Sequence, residues 1–196
     1  ITSAVQSDDL LLVDGAKGIV YINPTEARLS DYAERSKHQA VIRKELDLLK
    51  DKPSETIDGH HISLTANIEL LEELDGVEAG GAKGIGLYRT EFLFLGADAL
   101  PDEFEQTEAY IKAAKSQYPA TVVIRTLDLG ADKMSDTVDA PREMNPFLGL
   151  RAIRLCLDRP ELFQTQLRAI LRASVNKNIK LMYPMVTGVA EVKEAN

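Results

Sequence analysis

From His61 onward, short strand-like runs alternate with helical stretches, and this alternation restricts the fold more than any other feature of the chain. HISLTANI (61–68), GIGLYRTEFLFL (84–95), TVVIRTLDLG (121–130) and IKLMYPMV (179–186) read as strands, the second together with its exit loop. Between them lie ELLEELDGVEAGGA (69–82), a helix opening at Leu100-Pro101-Asp102 and running to about Tyr118, and two consecutive helices, NPFLGLRAIRLCLD and PELFQTQLRAILRAS. Pro160 stands at the first position of the last of these, where its missing N–H costs nothing. A loop of about a dozen residues with Asp136, Asp139 and Pro141 precedes the pair. Strand, helix, strand, helix means parallel strands joined by crossovers. Periodicity alone leaves two architectures open, half of an eight-stranded barrel or an open doubly wound sheet.

The first fifty residues follow a different rule. DLLLVDGAKGIVYIN (9–23) holds two apolar runs around Asp14-Gly15, a hairpin signal. Asn23-Pro24-Thr25 breaks the strand pattern and offers a helix start. Residues 26–51 contain neither Gly nor Pro, and Ile42, Leu46 and Leu49 at i, i+4 and i+7 form only a narrow apolar stripe. So narrow a stripe suits a solvated connector better than a core helix, and Lys52-Pro53 ends it. The chain begins with Ile1 and stops at Asn196 within a helical pattern, so it is expected to be a piece of a longer protein.

Charge and composition exclude several function classes. The net charge of −8 argues against nucleic acid, whose phosphates select basic surfaces, yet a local arginine cluster can still hold a small anion. The single cysteine, Cys156, excludes an internal disulfide framework and fits a reducing cytoplasm. No apolar run approaches the roughly 20 residues a membrane span requires, so no membrane insertion is expected.

In either architecture ligands sit at the carboxyl ends of the strands. Those ends carry Asn67, then Arg89-Thr90-Glu91, then Arg125-Thr126-Leu127-Asp128, then Tyr183-Pro184-Met185. A guanidinium is a planar fork of donors matched to phosphate or carboxylate, and two from neighbouring strands would receive a doubly anionic ligand. The alternative is that each arginine ties its strand to a loop through a salt bridge, with Glu91 or Asp128 as partner. Lys133 could add a positive charge or be a solvated turn residue; Arg151 stands where a loop enters a helix. Cys156 reads as a small buried hydrophobe, His60 and His61 stand at the amino end of the first of these strands, and His38 lies on the connector helix. No ligand spacing suggests a metal site, and no glycine-rich nucleotide fingerprint is present.

GIGLYRTEFLFL, VVIRTLDLGADK (122–133), NPFLGLRAIR (145–154), QLRAILRAS (166–174) and LMYPMV (181–186) together resemble Enzyme I of the bacterial sugar phosphotransferase system, the phosphoenolpyruvate-protein phosphotransferases. Pyruvate phosphate dikinase and PEP synthase, which also use phosphoenolpyruvate (PEP), resemble it less closely. The resemblance implies an α/β fold, the first half of a TIM (β/α)8 barrel preceded by a β-hairpin and a long linker helix. Residues 1–25 would end the phosphohistidine (swivelling) domain, 26–53 would be the linker, and 54–196 the N-terminal half of the PEP-binding barrel. Arg89 and Arg125 match the family's PEP-binding arginines, Arg151 a further active-site arginine, and Lys133 and Asp128 the lining of the same pocket. The family reaction, with Mg²⁺, moves the phosphoryl group of PEP to a histidine and on to a His-bearing phosphocarrier protein for sugar uptake. Its enzymes pair as homodimers through the barrel.

None of His38, His60 and His61 matches the phosphorylated histidine, and Cys156 does not match the family's catalytic cysteine. The metal ligands correspond to positions beyond Asn196. The expectation is therefore a substrate-binding half-site with no catalytic or metal-ligating residue of its own, inactive in isolation. A silent regulatory or dimerisation module is the alternative outside enzymes.

Overall fold

The structure, a computed structural model, describes residues 2–95, 99–130, 145 and 148–196. It divides into two compact units, Ile1–Lys52 and Pro53–Asn196.

In the first unit β1 (Leu11–Asp14) and β2 (Ile19–Ile22) form an antiparallel hairpin around Asp14-Gly15, with Leu11 opposite Ile22 and Asp14 opposite Ile19. Gly18 takes the left-handed turn conformation at φ 65°. Asp14 is buried at the strand end and accepts from Arg35 Nη1 at 2.9 Å and from the Lys17 N–H at 3.2 Å. Helix α1 (Glu26–Asp47) supplies that arginine and buries no residue of its own. Ile42 and Leu46 on the helix are exposed, as the narrow stripe suggests, and so is Leu49 beyond its end.

The second unit is a four-stranded parallel sheet in the order β3-β4-β5-β6, comprising Ala66–Ile68, Ile85–Arg89, Val122–Arg125 and Ile179–Met182. The crossovers contain α2 (Leu74–Ala79), α3 (Glu103–Gln117), and α4 (Ile153–Asp158) with α5 (Pro160–Ala173); α6 (Val189–Ala195) follows β6. Asp102 and Glu105 close a reciprocal capping box at the start of α3, at 2.8 and 3.0 Å. Ile85, Tyr88, Val122 and Ile124 form one face of the sheet and pack on Leu74 and Val77 of α2, Ala109, Tyr110 and Ala113 of α3, and Ala169, Ile170 and Ala173 of α5. Alanines at the helix contacts let α3 and α5 approach each other, and Tyr88 meets Tyr110 edge-to-face at 6.1 Å. Each large aliphatic side chain buried here contributes about 1.5–3 kcal/mol. Among the described residues no helix is long and apolar enough to cross a membrane.

The elements are shorter than the periodicity predicts, for local reasons. The strand expected over 61–68 is confined to Ala66–Ile68, because His61 bridges back to Glu55 instead of joining the sheet. The strand expected over 121–130 ends at Arg125. The helix expected from Asn145 begins only at Ile153: Arg151 forms a β-bridge with Gly130, and Ala152, at φ 54°, turns the chain before α4.

Gly84 enters β4 at φ 120°, and a Cβ there would stand 2.5 Å from the Thr121 carbonyl oxygen. That oxygen accepts the Ile85 N–H at 2.9 Å, so it cannot retreat without opening the ladder. Gly84→Ala is expected to destabilise the fold by about 2–4 kcal/mol in denaturant unfolding. Gly76→Ala, within α2 and with open space at its Cβ, is expected to stabilise it by about 0.5–1 kcal/mol.

Candidate functional site

β-Strand alternation sorts the residues of β5: Val122 and Ile124 face the helices, while Val123 and Arg125 leave the opposite face. The register pairs Arg89 of β4 with Arg125 of β5, and Arg125 with Met182 of β6. Partnered residues of parallel strands send their side chains to one face. Two guanidiniums therefore emerge side by side at the carboxyl ends of adjacent strands.

Both are held by carboxylates. Arg125 Nη2 donates to Glu91 Oε1 at 2.7 Å, and Arg125 Nη1 pairs with Asp128 Oδ2 at 3.1 Å. The other oxygen of Asp128 accepts from Arg151 Nε at 2.9 Å, while Arg151 Nη2 donates to the Asp128 carbonyl at 3.3 Å. Glu91 Oε1 also accepts the Asp128 N–H at 3.1 Å, joining the loop after β4 to the loop after β5. These four side chains are only 11–18% exposed, so water screens their attraction weakly. Arg89 is more open at 38%; it pairs with Glu69, and its Nε donates to Asn67 Oδ1 at 3.2 Å.

The structure thus brings Arg89, Arg125, Asp128 and Arg151 to the same end of the sheet. Lys133 lies outside the described residues. The salt-bridge alternative and the anion-pocket alternative are compatible, since a guanidinium has five N–H donors and these pairs occupy only some of them. Glu91 and Asp128 orient the fork of Arg125, and Asp128 that of Arg151. Three arginines against Glu69, Glu91 and Asp128 carry no net charge, so the described residues supply oriented donors without an excess of positive charge.

Periodicity could not identify Glu69 as the partner of Arg89, because the pair connects the exit of β3 to the end of β4. A second feature it missed lies beneath the arginines. Gln166 of α5 is buried, accepts the Leu127 N–H at 2.9 Å, and donates to Thr90 Oγ1 at 3.1 Å and to the Tyr110 hydroxyl at 3.2 Å. A glutamine at an inward helical position was the one available signal.

The residues set aside from the sequence stand apart from this cluster or are inert. His60 is largely exposed, and His61 bridges Glu55 ahead of β3. Cys156 is free and 1% exposed; burial first, and the Asp128 charge second, push its thiol up to about 12. Among the described residues no group of three or more His, Cys, Asp or Glu could hold a metal ion. Glu91 and Asp128 are engaged by arginines and do not form such a group.

Comparison with known proteins connects this geometry to a chemistry. Residues 43–196 match the family model described as PEP-utilising enzyme, PEP-binding domain. The whole chain is 49% identical to the phosphoenolpyruvate-protein phosphotransferase of Staphylococcus carnosus and 49% identical to that of Staphylococcus epidermidis. It is 46% identical to the protein of that name from Listeria monocytogenes. In each case the alignment covers 100% of this chain and 34% of the relative, so the chain spans about a third of the length of these proteins.

Asp128 sits between two guanidiniums, and its removal leaves both short of a partner. Asp128→Ala is expected to destabilise the fold by about 2–4 kcal/mol in denaturant unfolding, with Asp128→Asn intermediate. With its thiol pushed up to about 12, Cys156 is a thiolate in about one molecule in ten thousand at pH 8. Iodoacetamide at that pH is expected to leave it unmodified in the native protein and to label it fully in denaturant, as read by mass spectrometry.

Proposed function

The chain belongs to the family of PEP-utilising enzymes, and on that premise we propose that it carries one half of the PEP pocket of a phosphoenolpyruvate-protein phosphotransferase. The observation that supports this most directly is the register pairing of Arg89 with Arg125 at the carboxyl ends of adjacent parallel strands, with Arg151 tied in through Asp128. PEP carries a phosphate and a carboxylate, each able to accept two parallel hydrogen bonds from a guanidinium fork, and two neighbouring guanidiniums meet both. Arg89 and Arg125 bind these anionic groups, Arg151 borders the same pocket, Asp128 orients Arg125 and Arg151, and Lys133 supplies further positive charge.

Phosphoryl transfer asks a protein chiefly for positioning and charge stabilisation. Arginines on both ends of PEP hold the phosphorus in line for a histidine that approaches from another part of the intact protein. That histidine then passes the group to a His-bearing phosphocarrier protein serving sugar uptake. The family resemblance implies Mg²⁺, which would be held by residues at positions beyond Asn196 and would offset charge on the phosphate; Glu91 and Asp128 are engaged by arginines. The protein works in the cytoplasm as a homodimer.

The strands run in sequential order β3-β4-β5-β6, without the reversal that defines a doubly wound sheet, which favours the first half of a (β/α)8 barrel. The half-exposed Leu181 and Met182 of β6 fit a strand that receives a further neighbour there. In this arrangement residues 1–25 end the phosphohistidine domain and 26–53 form its linker. The phosphotransferase name carried by relatives 46–49% identical favours this reading over a PEP synthase or pyruvate phosphate dikinase, and over a silent regulatory module.

The test is PEP-dependent phosphorylation in the intact protein. Arg125→Ala is expected to lower the rate by about a thousandfold or more, and Arg125→Lys to stay within about tenfold of the alanine variant because the fork is lost. A lysine variant near the unaltered rate overturns the bidentate pocket. Formation of PEP from pyruvate and ATP by the intact protein indicates the synthase or dikinase chemistry instead.

A further inference from the structure

Gln166 belongs to α5, on the helical side of the sheet, yet its side chain reaches the carboxyl ends of both β4 and β5. Its Oε1 accepts the Leu127 N–H at 2.9 Å, and its Nε2 donates to Thr90 Oγ1 at 3.1 Å. The Thr90 hydroxyl donates onward to the carbonyl oxygen of Arg125 at 3.0 Å. The two peptide groups that flank Thr126 are thereby held from below, one through Leu127 and one through Thr90. The first of these peptide groups in chain order is also held through its N–H, that of Thr126, which donates to the Met182 carbonyl at 2.9 Å. Nε2 completes its bonding on the Tyr110 hydroxyl at 3.2 Å, which donates to Gln106 Oε1 at 3.2 Å, and Gln106 Nε2 donates to the Pro101 carbonyl at 2.9 Å. Thr90, Tyr110, Gln106 and Gln166 are all 0–1% exposed, so each group depends on these partners alone.

We propose that Gln166 is a positioning residue for the anion pocket, acting through Thr90 and the Leu127 N–H to fix the backbone from which Arg125 projects. The proposal rests on the reading of that pocket as a PEP site. A bidentate fork tolerates misplacement of only about 0.5 Å. Glu91 and Asp128 steer the tip of Arg125, whereas its root is set by the Arg125–Leu127 backbone. A single neutral amide does this without adding a charge beneath the guanidiniums, where a carboxylate would compete with the ligand.

A buried glutamine also stabilises a fold without serving a site, so the test needs a matched control at the other end of the strands. Asn178, just before β6, is a comparable buried amide that donates to the Ala114 and Ala120 carbonyls, both at 2.9 Å. In the intact protein, Gln166→Met and Asn178→Ala are expected to lower the melting temperature by similar amounts. Calorimetric titration with PEP and Mg²⁺ then separates them. Gln166→Met and Thr90→Val each weaken PEP binding about 10–100-fold, their double variant is no weaker than the worse single one, and Thr90→Ser restores binding. Asn178→Ala binds within about twofold of the unaltered protein. If Gln166→Met does not fold, the Thr90 variants decide the question. Gln166→Met and Thr90→Val binding like the Asn178 variant overturns the positioning role and leaves the PEP reading intact. An unaltered protein that binds no PEP overturns the PEP reading, and this role with it.

Discussion

In a parallel pair of strands, residues partnered across the ladder send their side chains to the same face, so the register of β4 against β5 decides where every charged group of the site stands. Pairing Arg89 with Arg125 sets two guanidiniums side by side at the carboxyl ends of the strands. A slip of one residue would turn one of them toward the helices, into the layer of Tyr110, Ala113 and Ile170. The apolar partners of the same two strands prevent that slip. Ile85, Tyr88, Val122 and Ile124 must all reach the helical side together, and their burial is what holds the arginines on the other.

The site is built in two layers. Below, neutral amides and hydroxyls (Gln106, Tyr110, Thr90 and Gln166) satisfy one another out of water and grip backbone. Above, Glu91 and Asp128 orient Arg125 and Arg151 by charge. The sequence of layers has a physical logic: charge is kept where solvent or a ligand can reach it, and the desolvated level carries neutral groups that lose less on burial. Balanced pairing also keeps the arginines in place when no ligand is bound.

Legibility in the sequence varied with the range of the interaction concerned. The hairpin at Asp14-Gly15, the exposed α1 and the strand–helix alternation follow from spacing within a few residues, and all three are in the structure. Element ends were less legible. His61 bridges Glu55, and Arg151 bridges Gly130, so the expected third strand and fourth helix both start later than periodicity indicates. Arg89 and Arg125 were recognisable as strand-end arginines, and Glu91 and Asp128 as partners available to them. That Glu69 takes Arg89, that one Asp128 carboxylate serves two arginines, and that Gln166 supports the floor are contacts across 20, 23 and as many as 76 residues of chain.

By itself the sequence determined which groups are available and, through periods of two and of 3.6, which side of each element is apolar. It also determined the family, because long motifs such as GIGLYRTEFLFL and VVIRTLDLGADK carry more information than any single residue. Only the tertiary structure decided which donor meets which acceptor. A guanidinium accepts any nearby carboxylate, and a glutamine any nearby amide or hydroxyl, so residue type leaves the partner open. The register of β4 on β5 and the packing of α5 under both strands select one partner from the several that the chemistry allows.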